Sequence, residues 1–354
     1  MTKIDRTIPT GLAALAVLSA AVFGCSVTQK PGDDAARALQ QRHVDADRLG
    51  VLLSSAPTLN SVMAKLGDPW TRIMSLAETK AFMDDVNYKT AAGLGLPELL
   101  AIDLDVRGYV VQVVDPLPGS PAERAGLKTG DIVETIDGRP AEGRPWKEIM
   151  AALRVPEGQT VDLGVRNRQE GLHSVKVKSE PLAPPVLVEG SASGPSTASI
   201  RLRGFTDRTA EEVAGLLDSL KPAELELDLR DNPGGSVTAM LAVAGLFVGA
   251  QPVLAMRAAN GAEEKLTGKG EQRFTGPLTV RVNEGSASAA EALAVGLRYA
   301  KRASIVGRKT FGKCLVHDVV SLNDGRSLLM TIGRMHVPGQ RPWCAEGVSP
   351  DTPG

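Results

Sequence analysis

From Ser199 onward, stretches that read as strands alternate with stretches that read as helices, and this alternation limits the possible folds more than any other feature. "ASIRLRGF" (198–205), "ELELDLR" (224–230), "LTVRVN" (278–283) and "ASIVG" (303–307) have the alternating or β-branched character of strands. Between them, "TAEEVAGLLDSL" (209–220), "VTAMLAVAGLFVG" (237–249) and "AAEALAVGLRYA" (289–300) have apolar residues at helical spacing. Such a succession buries both faces of a sheet under helices, so it predicts an α/β layered domain. Two later runs, "CLVHDVVSL" (314–322) and "SLLMTIGRMHV" (327–337), flank Asn323-Asp324-Gly325 and predict a β-hairpin.

The chain before Ser199 has a different character. Residues 36–85 are helical in pattern, stopped at Gly67-Asp68-Pro69. Residues 86–182 contain a β-branched run, "GYVVQVV" (108–114), a helix candidate, "WKEIMAAL" (146–153), and two alternating strands, "TVDLGVRN" (160–167) and "HSVKVKS" (173–179). A connector, "PPVLVEGSASGPSTAS" (184–199), separates this part from the α/β domain of 183–354 and reads as loop, its "GSAS" (190–193) included, because Gly-Pro follows. With 354 residues there is room for two or three domains, and 43% apolar content is enough to form their cores.

The first residues read as an address. Lys3 and Arg6 precede an uncharged stretch, "GLAALAVLSAAVFG" (11–24), too short for the roughly 20 residues that span a bilayer and suited to a signal peptide over 1–24. Gly24 directly before Cys25 resembles a bacterial lipobox, so Cys25 is the expected lipidation site and residues 25–35 a polar tether. The expected location is the bacterial cell envelope, facing the periplasm or exterior, with the membrane held through that anchor. Cys314 and Cys344 remain, compatible with a disulfide in an oxidising compartment or with two free thiols. Forty basic against 41 acidic residues and 3% aromatics argue against nucleic acid as a partner. The four histidines, His43, His173, His317 and His336, form no metal-ligand pair, and no cofactor motif is present, so neither metal nor cofactor is expected.

Ser288, in "NEGSASAAEAL" (283–293), admits two readings. Ser288-Ala-Ala-Glu291 is a capping box, a purely structural device worth about 1 kcal/mol. As a nucleophile, Ser288 would sit among small neighbours, Gly285, Ala287, Ala289 and Ala290, at a helix N-terminus whose amides suit a developing oxyanion. The residues alone supply no confirmed base.

Several segments together resemble the C-terminal processing (tail-specific) serine peptidases. "GSASAAE" (285–291) and "TFGK" (310–313) are similar to that family's two catalytic motifs, with the serine and lysine at the family's spacing. "LGDPWT" (66–71), "GLGL" (93–96), "GSPAERAGLKTGDIVETIDG" (119–138), "LDLRDNPGG" (227–235) and "GVSPD" (347–351) resemble further family segments in the right order. The resemblance implies an α/β multidomain fold: an N-terminal helical segment (36–85), an inserted PDZ-like β-rich domain (86–182) and a crotonase-like ββα peptidase core (183–354) with its C-terminal hairpin.

It also implies roles. Ser288 is the expected nucleophile and Lys313 the general base, which must lose its proton near neutral pH although an unperturbed lysine titrates near ~10.4. Oxyanion donors are expected from Ala289 and from Gly234 or Gly235. Gly93, Leu94, Gly95 and Leu96 are the expected carboxylate-binding loop for protein C-termini, which would add as a strand, with Arg154 as a further peptide-binding position. Substrates are therefore proteins or peptides with accessible C-termini; an adaptor protein is compatible with this, and no residue identifies one. The chain ends soon after "GVSPD", so dimers built on the extension that many relatives carry are not expected. Two departures stand out: His317 occupies the family's glutamine position, and Cys314 replaces the glycine after the lysine. They leave a second reading, an inactive relative that only holds C-termini. A small-ester hydrolase is a third, with no use for a PDZ domain.

Overall fold

The structure, a computed structural model, describes residues 33–354 except 56–57, 69, 88–91, 94–98, 104–108, 114–115, 145, 168–169, 183–184 and 259–260. Cys25 and the leader therefore lie outside the described residues, as do Leu94, Gly95 and Leu96. No helix among the described residues is long and apolar enough to cross a membrane.

The C-terminal α/β core is a six-stranded sheet in the order Val188–Ala192, Thr197–Leu202, Glu224–Asp228, Leu278–Val282, Ser304–Gly307, Thr352–Pro353. All neighbours run parallel except the first pair. Helices Thr209–Leu220, Val237–Val248 and Ala289–Tyr299 follow the strands that the sequence pattern places before them. Val237–Val248 is apolar on every side and sits inside the core, with Met240, Val243 and Phe247 fully covered. Each side chain of that size contributes roughly 1.5–3 kcal/mol on burial.

A second sheet is built on Ser327–His336: Leu315–Ser321 pairs along one edge, Arg72–Met74 and Pro252–Ala258 pair with successive parts of the other, and Glu263–Thr267 lies beyond Pro252–Ala258. The expected hairpin about residues 323–325 thus supplies two strands of a five-stranded sheet. The N-terminal segment supplies one of its strands: between helices Leu59–Leu66 and Leu76–Val86 the chain turns extended over Arg72–Met74, which a wholly helical reading of 36–85 misses. The reading of "GSAS" as loop is also corrected, since Gly190–Ala192 belongs to edge strand Val188–Ala192. An edge strand pairs through its backbone, and three of these small residues face solvent, so composition gave no strand signal.

The inserted β-rich unit has strands Leu99–Asp103, Tyr109–Val113, Ile132–Ile136, Thr160–Asn167 and Gly171–Lys178 in consecutive antiparallel pairing. Helix Trp146–Leu153 coincides with the predicted run, and Ile149 and Leu153 are buried in the unit's own core.

Candidate active site

Ser288 lies just past strand Leu278–Val282, as the N-cap of helix Ala289–Tyr299. Its backbone, φ 54° and ψ −117°, is not the extended conformation of an ordinary N-cap. A non-glycine residue held there stores about 1–3 kcal/mol of strain and needs its surroundings to impose it. A knot of hydrogen bonds between "NEGSASAAE" and "LDLRDNPGG" does so. Ser286 Oγ donates to Leu229 O at 2.7 Å, Ala287 N–H to Asn232 O at 2.9 Å, and Asn283 Nδ2 to Asp231 Oδ1 at 2.7 Å. Asn232, fully buried, donates to Leu202 O at 2.9 Å and accepts from Gly234 N–H at 2.8 Å.

This knot presses the glycine turn against the serine. Gly234 and Gly235 have φ of 113° and 130°, which side chains rarely adopt, and a Cβ on Gly234 would stand 2.8 Å from Ser288 Cβ and 3.0 Å from Ala289 N. Gly234 N–H is already given to Asn232. Gly235 N–H and Ala289 N–H have no acceptor among the described residues. One unpaired amide is thus on the residue after the serine, at the positive end of a helix, and the other is in the glycine turn pressed against it.

Glu291 ties Ser288 to Lys313. Ser288 and Glu291 are placed as a capping box, but the serine hydroxyl makes no cap hydrogen bond, while its backbone N–H donates to Glu291 Oε2 at 2.8 Å. The same oxygen accepts Lys313 N–H, also at 2.8 Å, so the two backbone nitrogens are no further apart than twice that distance. Glu291 Oε1 accepts from Gly312 N–H at 2.8 Å and Thr310 Oγ at 2.5 Å. The carboxyl is fully buried, and burial pushes it up to about 7 despite its four donors, Thr310 foremost. The capping residue of the sequence pattern is thus the fastener of the site, which no local signal indicated.

Lys313 is half-buried, its amine 4.4 Å from the centroid of the Trp70 ring, and no hydrogen bond joins it to the Ser288 hydroxyl. His317 also meets Trp70, ring centroids 5.2 Å apart. Four residues of regular strand would separate Lys313 from His317. Instead Lys313 precedes strand Leu315–Ser321 and the strand bulges between Val316 and His317, which lets one indole face both. His317 Nε2 is buried without a partner. Burial, and then the Lys313 charge, push His317 down to about 3, so the imidazole is neutral at physiological pH.

Cys314 and Cys344 are bonded, with Cα atoms 4.9 Å apart. The bridge clamps the lysine segment to the closing loop, where Ala345 N–H donates to Gly312 O at 2.8 Å and Thr310 N–H to Val348 O at 3.1 Å. Gly93 lies in a two-residue strand paired with Glu180–Pro181. Arg154 is exposed beyond its helix, and its charge, second to burial, lowers the Arg72 guanidinium to about 10. The β-rich unit reaches the site at Thr129, whose Cγ2 would meet a Cβ on Gly285 at 3.0 Å. No group of acidic, histidine or cysteine side chains among the described residues could hold a metal ion.

Known proteins match this chain in sequence and fold. The family model "Peptidase family S41" matches residues 196–353, and a PDZ-domain model matches residues 112–167. The chain is 32% identical to a carboxyl-terminal-processing protease of Synechocystis sp. over 83% of this chain and 69% of that one. It is 27% identical to the carboxy-terminal processing protease CtpA of Bacillus subtilis over 78% of this chain and 58% of that one. Among solved structures, a photosystem II D1 C-terminal processing protease superposes with a TM-score of 0.78 at 26% identity, covering 91% of both chains. The core and the inserted domain shared with these enzymes place the chain in peptidase family S41, among the carboxyl-terminal processing serine proteases.

Proposed function

We infer that this protein is a cell-envelope lipoprotein that captures protein C-termini through its PDZ domain and cuts peptide bonds with a Ser288–Lys313 dyad. The observation that carries the dyad is the single oxygen, Glu291 Oε2, that accepts both the Ser288 and the Lys313 backbone N–H. It fixes the two backbones side by side whatever their side chains do. With its amine neutral and turned from Trp70 to Ser288, Lys313 takes the hydroxyl proton as the oxygen attacks the scissile carbonyl. The carbonyl oxygen becomes anionic between Ala289 N–H and Gly235 N–H, the amides without acceptors. Gly234 has the other task of letting the turn approach the serine. The tetrahedral adduct collapses as the lysine returns the proton to the leaving amine, and water then hydrolyses the acyl-enzyme.

His317 stays neutral beside the lysine and adds no like charge when Lys313 is protonated. The lipobox-like Gly24-Cys25 pair, after an apolar leader, supports an anchored, envelope location, and the bonded Cys314–Cys344 pair fits an oxidising compartment. The lysine's seat on Trp70 favours a second reading, a catalytically silent binder of C-termini. Cleavage of an unfolded protein with a free apolar C-terminus separates the two. The dyad predicts turnover by wild type and none by Ser288→Ala or Lys313→Ala; equal behaviour of all three defeats the enzymatic reading.

A further inference from the structure

Trp70 stands where three parts of the molecule meet. Its ring faces the Lys313 amine at 4.4 Å and the His317 ring at 5.2 Å, and it also packs against the core of the PDZ-like unit. Its backbone is fixed by an unusual anchor. Trp70 N–H donates to Asp68 Oδ1 at 3.0 Å, while Asp68 Oδ2 takes Thr71 Oγ at 2.6 Å, Thr331 Oγ at 2.7 Å and His43 Nε2 at 3.0 Å. Burial works to raise the Asp68 carboxyl, but the bonds from His43, Thr71, Thr331 and Trp70 outweigh it and hold it well below the usual range. His43 Nδ1 accepts Asp45 N–H at 3.0 Å, which puts the ring hydrogen on the Nε2 that faces Asp68. Thr331 is the cross-strand partner of His317. The anchor thus locks the tryptophan to the same hairpin that follows the lysine.

The face of an indole attracts an ammonium and offers a neutral amine far less. A lysine that must act as a base is therefore seated here on a group that favours its protonated form. We propose that Trp70 is a positioning residue for Lys313, its ring seating the ammonium in this state. The consequence for catalysis rests on the reading of Lys313 as the base; the effect on the amine does not. The charged or titratable groups that act on His317 beside the lysine are Asp68, Arg72 and His43 from the N-terminal segment, with Arg154 acting in turn on Arg72, while Glu291 from the nucleophile helix holds the Lys313 backbone N–H. Replacing Trp70 leaves all of these in place.

The test reads the amine directly. Full-length, disulfide-intact protein is acetylated competitively with isotopic acetic anhydride from pH 6 to 11, and the reactivity of each lysine is followed by mass spectrometry, with exposed Lys265 and Lys269 as references. In Trp70→Leu the midpoint of Lys313 reactivity moves down by about half a pH unit or more, about threefold more free amine at a given pH below it. In Trp70→Phe, which keeps a weaker ring face, it moves down by less. A midpoint that stays or rises in both variants overturns the proposal, and if Trp70→Leu does not fold, the sign of the Trp70→Phe shift decides alone. Ser288 reaction with a fluorophosphonate probe, run in parallel on Lys313→Ala, distinguishes the two failures. An unchanged rate there refutes the lysine as base and leaves the Trp70 result to stand or fall by itself.

Discussion

Replacing Glu291 with glutamine separates what this residue does for stability from what it does for the site. The buried carboxyl is raised from 4.5 to about 7. Between those values the folded protein holds a proton that the unfolded chain has released, so stability is fully present below pH 4.5 and is lost as pH rises through about 7. A displacement of that size corresponds to on the order of 3 kcal/mol. Glutamine resembles the protonated acid: one oxygen accepts and the other position donates. Its best orientation leaves Ser288 and Lys313 N–H on the oxygen and turns the NH2 toward Thr310 and Gly312, whose N–H then loses its acceptor. Glu291→Gln is therefore expected to be close to wild type in stability at pH 4.5 and more stable at pH 8 by up to on the order of 3 kcal/mol. Its activity falls at least about tenfold at pH 8, because the fastening of "TFGK" through Thr310, Gly312 and Lys313 is weakened at Gly312. Urea unfolding with the disulfide intact at both pH values, alongside peptide cleavage, measures this. A variant less stable than wild type at pH 8 would falsify the account, since the ionised carboxylate would then be a net stabiliser rather than a cost accepted for geometry.

Three further outcomes follow from the same structure. Gly234→Ala puts a Cβ 2.8 Å from Ser288 Cβ at a φ of 113°, so kcat should drop at least about 100-fold even if the protein folds; near-normal turnover refutes the close approach. Reduction of Cys314–Cys344, which closes 30 residues, should lower stability by about 3–4 kcal/mol, seen as a Tm drop under reducing agent. His317, lowered from 6.5 to about 3, binds a proton when unfolded that it refuses when folded, so its contribution to stability is present above pH 6.5 and lost as pH falls toward 3. His317→Gln should flatten that part of the acid-unfolding profile, and an unchanged profile contradicts the buried neutral ring.

Much of the layout was legible because period and length agreed: "WKEIMAAL", "TVDLGVRN" and "TAEEVAGLLDSL" became elements with those bounds. Where a segment pairs only through its backbone, the sequence was silent. Edge strand Val188–Ala192 is small and polar, and Arg72–Met74 gains its strand character only by lying against Leu328 and Leu329. At the site, Ser288 and Lys313 stood out by motif and spacing. Glu291 was visible only as a helix cap, since its work is done on residues about 20 positions further along. The choice between Gly234 and Gly235 depended on one hydrogen bond from Gly234 to Asn232, which no spacing encodes. Trp70 lies some 240 residues from Lys313 in the chain, and only the fold brings ring and amine together.

The central claim is that Lys313 removes the Ser288 proton, and the rate at which a fluorophosphonate probe labels Ser288 as a function of pH tests it most directly. The account predicts labelling that rises with pH in wild type and falls by about 100-fold or more in Lys313→Ala. Labelling of Lys313→Ala at the wild-type rate, with the wild-type pH dependence, contradicts it.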